Sequence, residues 1–248
     1  MKKSIRIFGG FLLAAAFSVG AVAQTAGNAS LQSQVTQRLA ARKEFRDVGV
    51  TVRNGIATLS GSVDLYQEKL DAAKQARKTP NLQGVRNLIV VNVKAVPDSD
   101  LARQLDRKLY YDPMGYDIAF NFVTASVKNG GVTLAGLTRD QFDHDSALLL
   151  VSRTAGVKDV VDNITVAPVS TFDDQIRFST LRAIYRDPVL GRYAIDPAKP
   201  IRIVVDNGKL SLYGTVANAM DKQIAGMRAS QASGAFTVQN NLEVANKG

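Results

Sequence analysis

The feature that most constrains this chain is an Asn-Gly pair that occurs three times between two runs rich in β-branched residues. The pairs are Asn54-Gly55, Asn129-Gly130 and Asn207-Gly208. Both residue types tolerate a left-handed backbone, so each pair predicts the two-residue turn of a β-hairpin. A further glycine follows each pair at the same distance of six residues: Gly61, Gly136 and Gly214. These nine residues are therefore predicted to shape the backbone.

The hairpins belong to a longer repeat. Each second glycine is followed by a helix-like segment and then by an Asn-aliphatic-x-Val segment. The asparagines are Asn87, Asn163 and Asn241, which follow the glycines by 26, 27 and 27 residues. Three ordered copies at so constant a spacing indicate one supersecondary unit repeated in tandem.

Apolar residues at helical spacing flank each hairpin. The first helix carries Leu31, Val35 and Leu39 in copy one, and Leu101, Leu105 and Leu109 in copy two, with Asp98 and Ser99 as cap candidates. In copy three, residues 172–185 are less regular, since Ile176 and Phe178 point to different sides. The second helix is expected to carry Leu70 and Ala73, then Ala147, Leu150 and Val151, then Met220, Ile224 and Met227.

Each copy thus reads helix, strand, strand, helix, strand. The predicted fold class is α+β, with three small two-layer domains in tandem, each a three-stranded sheet packed on two helices. Short proline-bearing linkers place the domains at 28–96, 98–168 and 170–246, here called repeats 1, 2 and 3. Domains of this size bury modest apolar area, so packing between neighbours is expected to add stability.

The N-terminus has the pattern of a signal peptide. Lys2, Lys3 and Arg6 precede an uncharged stretch over 7–22 that ends in Ala-Val-Ala at 21–23. We therefore expect residues 1–23 to be removed and the mature chain to begin at Gln24 in the periplasm, with a retained membrane anchor as the alternative. The sequence contains no cysteine, so it has no lipidation site, disulfide or thiol chemistry.

The shared motifs resemble those of the BON domain family. They are the Asn-Gly turn, a Thr/Ser-Leu-x-Gly strand end, Gly-Val or Gly-Ala before the last strand, and the final Asn-aliphatic-x-Val. The resemblance covers nearly all of the chain after residue 23, although copy one is irregular at its last strand. It implies a non-enzymatic module of the kind found in osmotically inducible periplasmic proteins, with phospholipid surfaces or envelope proteins as partners and no catalytic residue.

The residues themselves also argue against an enzyme. His144 is the single histidine, and the nearby Asp140, Asp143 and Asp145 do not bring three ligands to one helix face. No metal site is predicted, and a solvated helix start is expected instead. Catalytic triads are not expected, because the sequence has no cysteine and no second histidine. A catalytic Ser-Lys pair is the alternative that the sequence leaves open. No GxxxxGK[ST] phosphate loop occurs, and the Asn-Gly glycines precede strands and not helices, which argues against a nucleotide site. No cofactor and no small-molecule substrate are expected.

Charge is concentrated in repeat 1. Residues 31–97 hold eleven Lys/Arg and five Asp/Glu, against seven and ten in 98–170 and ten and seven in 171–248. The second helix of repeat 1 is the most basic stretch: Lys69, Lys74, Arg77 and Lys78. A basic amphipathic helix can bind anionic headgroups, whereas a merely solvated charged face is the alternative. Nucleic acid is not expected as a partner. An exported protein does not meet it, and no aromatic residues that could stack on bases lie among the cations.

The sequence therefore predicts a non-enzymatic periplasmic envelope protein with a stress-protective role, which binds anionic phospholipid surfaces. The alternative is a scaffold or chaperone-like module, in which exposed sheet faces or edge strands bind envelope proteins.

Overall fold

The computed structural model describes residues 17–94, 96–111, 122–194, 201–231 and 234–245. Each copy follows the order helix, hairpin, helix, strand, so the α+β fold with small three-stranded sheets packed on helices is confirmed. The chain divides into two compact units. The first contains residues up to Val63 and Glu68–Val90, and the second contains Asp64–Gln67 and the described residues from Val91 onward. Repeats 2 and 3 thus share one unit.

Repeat 1 begins with a long helix and ends with a strand in two pieces. Its elements are α1 (Phe17–Ala40), a 3-10 turn (Lys43–Phe45), β1 (Val48–Arg53), β2 (Ile56–Val63), α2 (Tyr66–Arg77), β3 (Gly84–Asn87) and β4 (Val90–Val91). The central strand β2 runs antiparallel to β1 and parallel to β3. The buried core of this repeat includes Val35 and Leu39 of α1, Phe45 of the 3-10 turn and Leu59 of β2.

Repeat 2 has the same topology with one unbroken last strand. Its elements are α3 (Asp98–Tyr111), β5 (Phe122–Lys128), β6 (Gly131–Thr138), α4 (Gln141–Ser152) and β7 (Asp159–Val166). Three leucines of α3, namely Leu101, Leu105 and Leu109, pack with Leu134 and Val151 in its core.

Repeat 3 adds a short 3-10 helix before its hairpin. Its elements are α5 (Thr171–Tyr185), the 3-10 helix (Leu190–Ala194), β8 (Arg202–Asp206), β9 (Lys209–Tyr213), β10 (Thr215–Val216), α6 (Ala219–Ser230), β11 (Thr237–Asn240) and β12 (Glu243–Val244). Its core contains Ile176, Ile184, Leu210 and Leu212.

The turn residues adopt the backbone that their sequence requires. Asn54, Asn129 and Asn207 have φ of 50°, 54° and 50°, and the glycines after them have φ of 74°, 78° and 77°. Gly61 and Gly136 have φ of 102° and 130°. A Cβ at Gly61 would collide with the carbonyl oxygen of Asp47, just before β1, and a Cβ at Gly136 with that of Phe122 in β5, so only glycine fits.

The apolar face of the second helix differs from the expectation. Leu70, Met220 and Met227 are exposed, and the buried positions are mainly alanines. The buried sets are Ala72, Ala73 and Ala76 in α2, Ala147 and Val151 in α4, and Ala225 and Ala229 in α6. Small side chains allow these helices to lie close to the sheet, so the longer residues point outward. For the first helix, burial of Val35, Leu39 and the three α3 leucines is confirmed.

The register of the last strand corrects the equivalence of the three asparagines. Asn87 lies opposite Leu59, and the residues in the same position of the other sheets are Asp162, opposite Leu134, and Asn240, opposite Leu212. Asn163 and Asn241 are each one residue too late, so their predicted equivalence to Asn87 is wrong. With the correct residues, the interval from the second glycine is 26 in all three copies.

Copy one is also more regular than expected. Gly156 and Gly234, which begin the Gly-Val and Gly-Ala motifs before the last strand of repeats 2 and 3, both have positive φ. Asn81, at the same position of repeat 1, has φ of 63°. Asparagine is among the residues that most readily adopt this conformation, so it replaces glycine there.

Candidate functional site

The predicted basic cluster of repeat 1 lies along α2 and just beyond its end. The side chains of Lys74, Arg77 and Lys78 are exposed, and none of the three forms an ion pair with a described residue. Lys69 is half-buried, and its carbonyl oxygen accepts a hydrogen bond of 2.7 Å from Asn87 Nδ2. Three of the four predicted lipid contacts are thus open to solvent, whereas the backbone of Lys69 anchors the last strand.

An exposed leucine lies on the same face of α2. Leu70 is 41% exposed and precedes Lys74 and Arg77 by four and seven residues, the spacing of one helix face. The equivalent residues are Asp145, Leu149 and Ser152 in repeat 2, and Gln223, Met227 and Ser230 in repeat 3. Only repeat 1 therefore combines an apolar side chain and cations in the pattern of an interfacial helix.

An open groove of about 520 Å³ adjoins this face. It is lined by Gln34, Gln37, Arg38, Ala41, Arg42 and Gln75. Arg42 is partnered by Glu44 at 2.5 Å, and a backbone hydrogen bond at Glu44 itself, together with Arg42, lowers the pKa of Glu44. Arg38 is exposed and forms no ion pair with a described residue. The groove therefore offers amide and guanidinium donors to an anion.

Sequence reasoning missed Arg38. It lies in α1, far along the chain from α2, and only the packing of the two helices on one sheet brings it beside Gln75. One sequence signal could have found it: Arg38 directly precedes Leu39, which is on the buried face of α1. In an amphipathic helix, this position indicates a residue outside the buried face.

The other face of the repeat 1 sheet carries a second cationic surface. Arg53 lies opposite Ile56, and Arg86 lies opposite Thr58, on the side away from the buried Val52, Ala57 and Leu59. Strands β1 to β4 contain no acidic residue. This surface points away from the helices, so a flat partner cannot contact it and α2 at once.

Repeat 3 has an exposed aromatic pair. Phe172 and Phe236 are 43% and 75% exposed, and their ring centroids lie 5.6 Å apart. The rings lie over Gly208, where a Cβ would approach Phe236 to 2.5 Å. The residues over the equivalent turn glycines are Gln83 in repeat 1 and Lys158 in repeat 2, so this aromatic patch is particular to repeat 3.

Of the nine residues predicted to shape the backbone, the three Asn-Gly pairs form hairpin turns that are held by side chains from the first helix of each repeat, whereas Gly61, Gly136 and Gly214 lie further along, within or at the end of the second strand. Asp98 accepts hydrogen bonds from the Asn129 and Gly130 amides at 2.6 and 3.0 Å. Asp173 accepts from Asn207 and Gly208 at 3.0 and 2.8 Å, and Asn28 Oδ1 accepts from Gly55 at 3.1 Å. The predicted cap Asp98 therefore anchors the hairpin turn. These contacts position the hairpins and offer no reactive group.

The surroundings of His144 differ from the expected solvated helix start. Its side chain is only 13% exposed, and its two ring nitrogens lie 2.9 Å from carboxylates of Asp145 and Asp162. Asp140 caps the helix by accepting from the Asp143 amide, and Asp143 is buried. In the part of the chain that the structure describes, no group of three or more His, Cys, Asp or Glu is placed to hold a metal.

The predicted signal peptide falls mostly on residues 1–16, which lie outside the described residues. Helix α1 begins at Phe17, before the predicted cleavage site, and continues to Ala40. Within the described ranges, no helix has the length and apolar character needed to cross a membrane.

Three solved structures to which this chain is similar are distant from it. A structural protein of the type III secretion system of Chlamydia trachomatis, CdsD, shares 12% identity over 88% of this chain and 91% of its own, with a TM-score of 0.24. Its C-terminal domain gives the same identity and TM-score over 86% and 96%. The PrgH periplasmic domain shares 10% identity over 85% and 100%, with a TM-score of 0.18. No curated protein matches.

The family comparison covers the three copies. The profile of the BON domain matches residues 27–93, 97–168 and 173–246, which together make up most of the chain. The order of elements, the three turn motifs and these matches agree with one another. The chain is therefore a member of the BON domain family, with three BON domains in tandem.

Proposed function

We propose that this protein is a non-enzymatic component of the cell envelope that binds anionic phospholipid surfaces through repeat 1. The observation that carries the proposal is the exposed surface at α2. Lys74, Arg77 and Lys78 have no ion-pair partner there among the described residues, and the side chain of Leu70 is exposed beside them. Membership of a family of binding modules supports a role without chemistry.

The charges set the strength of this contact. A cation near an anionic surface contributes about 1 kcal/mol, so the three cations of α2 supply about 3 kcal/mol. Arg38 and partial burial of Leu70 add about 1 kcal/mol each. A total of about 5 kcal/mol corresponds to a dissociation constant of about 0.2 mM. Docking is therefore peripheral, reversible and weakened by salt.

Vesicle co-sedimentation tests the proposal. The protein is mixed with phosphatidylcholine vesicles that contain or lack phosphatidylglycerol, at low and high salt. We expect binding only to the anionic vesicles and its loss at high salt. The variant K74E/R77E/K78E should bind at least about 100-fold more weakly, because about 3 kcal/mol of attraction becomes repulsion.

A matched variant separates the site from net charge. R182E/R186E/K209E reverses three exposed cations of repeat 3 and changes the net charge by the same amount. It should keep most of the binding. Equal loss in both triple variants would show that only net charge matters. Loss on R53E/R86E instead would assign the contact to the sheet face of repeat 1. Either result contradicts the proposal.

A second candidate function is binding to an envelope protein, and the exposed Phe172–Phe236 pair favours it. Large aromatic side chains that are exposed together are enriched at protein interfaces. A photo-crosslinking residue at position 236 should yield discrete protein adducts in intact cells if this function holds. The same residue in place of Phe142, an exposed phenylalanine of repeat 2, is the control. Absence of adducts specific to position 236 rejects this candidate.

Both candidates place the protein in the periplasm. The basic, apolar and small-residue pattern of residues 1–23 supports export by a cleaved signal. Mass spectrometry of the protein released by osmotic shock should find a mature N-terminus at Gln24. Protein retained in the cytoplasm with residues 1–23 intact would contradict this localisation. Protection against osmotic stress predicts poorer survival of a deletion strain after an osmotic upshift.

A further inference from the structure

One contact between the second helix and the last strand is made differently in repeat 2. In repeats 1 and 3, an asparagine at the end of the strand donates from Nδ2 to a helix carbonyl 18 residues earlier: Asn87 to Lys69 and Asn240 to Lys222, both at 2.7 Å. Its Oδ1 accepts from the amide two residues later, at 3.2 and 3.3 Å. This amide clasp contains no titratable group.

In repeat 2, the same two positions hold Asp162 and His144. Asp162 Oδ1 still accepts from the Ile164 amide at 3.0 Å, as the asparagines do. Its Oδ2, however, lies 2.9 Å from Nε2 of His144, which is again 18 residues earlier. An amide-to-carbonyl hydrogen bond has been replaced by a carboxylate-to-imidazole pair at the same point of the fold.

We propose that the His144–Asp162 pair is a pH-sensitive clasp that holds α4 to β7 more tightly as the pH falls, in repeat 2 alone. When the ring is neutral, its Nε2–H can donate to Asp162 while Nδ1 accepts from Gln141 Nε2 at 3.0 Å. When the ring is protonated, Nδ1–H donates to Asp145 at 2.9 Å and the hydrogen bond to the Asp162 carboxylate becomes an ion pair.

The two carboxylates that contact the ring favour its protonation. Burial opposes protonation of His144, but the hydrogen bonds and charges of Asp145 and Asp162 together raise its pKa above the ordinary value of 6.5. On its own helix the acidic residues are Asp143 and Asp145, and β7 contributes Asp162 with Asp159 further along. Strand β6 has no ionisable side chain. In α3, Lys108 bonds Thr154 at the other end of α4.

The raised pKa fixes the sign of the effect. A group that binds protons more tightly when folded stabilises the folded state fully below its unfolded pKa, and this stabilisation is lost as the pH rises through its folded pKa. The clasp is therefore strongest below about pH 6.5 and weakens above it. The clasps of repeats 1 and 3 should not change across this range.

The experiment uses the whole protein. Because His144 is its single histidine, an NMR titration of the imidazole signals reports on this ring without overlap from another. The variant D162N introduces the residue found in repeats 1 and 3. We expect the wild-type midpoint to lie above 6.5 and to fall in D162N. Intrinsic-rate-corrected hydrogen exchange of the β7 amides should slow on acidification in the wild type and lose this dependence in D162N.

A second variant guards against misfolding of D162N. H144Q keeps a side-chain donor without a titratable proton, and it should remove the pH dependence of β7 exchange while keeping the fold. A wild-type midpoint at or below 6.5 overturns the proposal. So does a pH dependence of β7 exchange that persists in H144Q, or a midpoint that moves in D145N but not in D162N.

Discussion

Repeat 1 and the unit formed by repeats 2 and 3 carry different surface side chains on the same topology. Within the second unit, Phe122 of repeat 2 stacks on Tyr213 of repeat 3 with ring centroids 5.7 Å apart. Arg202 lies opposite Tyr213 on the outer face of the repeat 3 sheet and packs over the rings of Tyr110 and Phe122. The hydroxyl of Tyr110 donates to the Ala194 carbonyl at 2.7 Å.

Repeat 1 has other residues at the positions that make this junction. Ala40 and Asp47 stand where repeat 2 has Tyr110 and Phe122. Its exposed surface instead carries the cations of α2. A few side chains on a constant framework therefore distinguish the aromatic junction of repeats 2 and 3 from the same positions of repeat 1. In repeat 3, the sheet face away from the helices is partly covered by Tyr110 and Phe122 of repeat 2.

The junction also perturbs its titratable groups. Burial raises the pKa of Asp106, and the charge of Arg202 opposes that rise. Burial likewise raises the pKa of Tyr185, whose hydroxyl donates to the Ile201 carbonyl at 2.7 Å. Both shifts therefore follow mainly from the packing around these groups.

The largest expected effect is a loss of stability in one unit that leaves the stability of the other unchanged. G136A places a Cβ against the Phe122 carbonyl at a positive φ, which we expect to cost about 3 kcal/mol. Urea unfolding followed residue by residue with hydrogen exchange should show loss of stability in repeats 2 and 3 and an unchanged repeat 1. G61A should do the reverse. Equal destabilisation of both units by either variant would contradict their independence.

The second effect divides the second unit. Y110A/F122A removes the aromatic stack and both cation-π contacts, and we expect a loss of about 2 kcal/mol. Repeats 2 and 3, which should unfold together in the wild type, should then unfold at separate urea concentrations. The control F142A removes an exposed ring and should leave one transition. Separate transitions already present in the wild type would show that the junction does not couple them.

The third effect compares the hairpin anchors. The buried carboxylate of Asp173 accepts two amide hydrogen bonds, whereas Asn28 accepts one on a partly exposed surface. D173A should therefore cost about 2 kcal/mol and N28A about 1 kcal/mol in free energy of unfolding. Urea unfolding of both variants measures the difference. A larger loss in N28A would mean that the turn of repeat 1 depends more on its anchor.

The smallest effect concerns lipid affinity alone. L70Q removes the exposed leucine beside the cations of α2, and we expect binding to anionic vesicles to weaken about fivefold, or about 1 kcal/mol. M220Q, which changes an exposed side chain of α6, should leave affinity unchanged. Co-sedimentation measures both. Equal weakening would show that apolar contact is not confined to repeat 1.

Much of the fold could be predicted because its signals are local. The Asn-Gly turns and the second glycines report backbone conformation directly, and leucines at helical spacing report the buried face of α3. The register of the last strand could not be read this way. Repeat 2 has Asp162 where the other repeats have asparagine. A sequence match to Asn87 therefore selected Asn163, one residue too late.

The site was harder to predict because surfaces depend on packing. The exposed cations of α2 follow from its composition, but Arg38 joins them only through the packing of two helices on one sheet. The partners of His144 were missed for the same reason, since Asp162 reaches it from a different strand. Alanines on the second helices carry too little apolar signal to show which face is buried.

Hydrogen exchange of the purified full-length protein, with and without phosphatidylglycerol vesicles, tests the central claim that repeat 1 alone provides the lipid contact. We predict that the vesicles slow exchange in peptides covering residues 66–78 of α2 and the adjoining part of α1. The equivalent helices α4 and α6 should be unchanged. Protection that is absent from α2, or equal in all three second helices, would contradict the account.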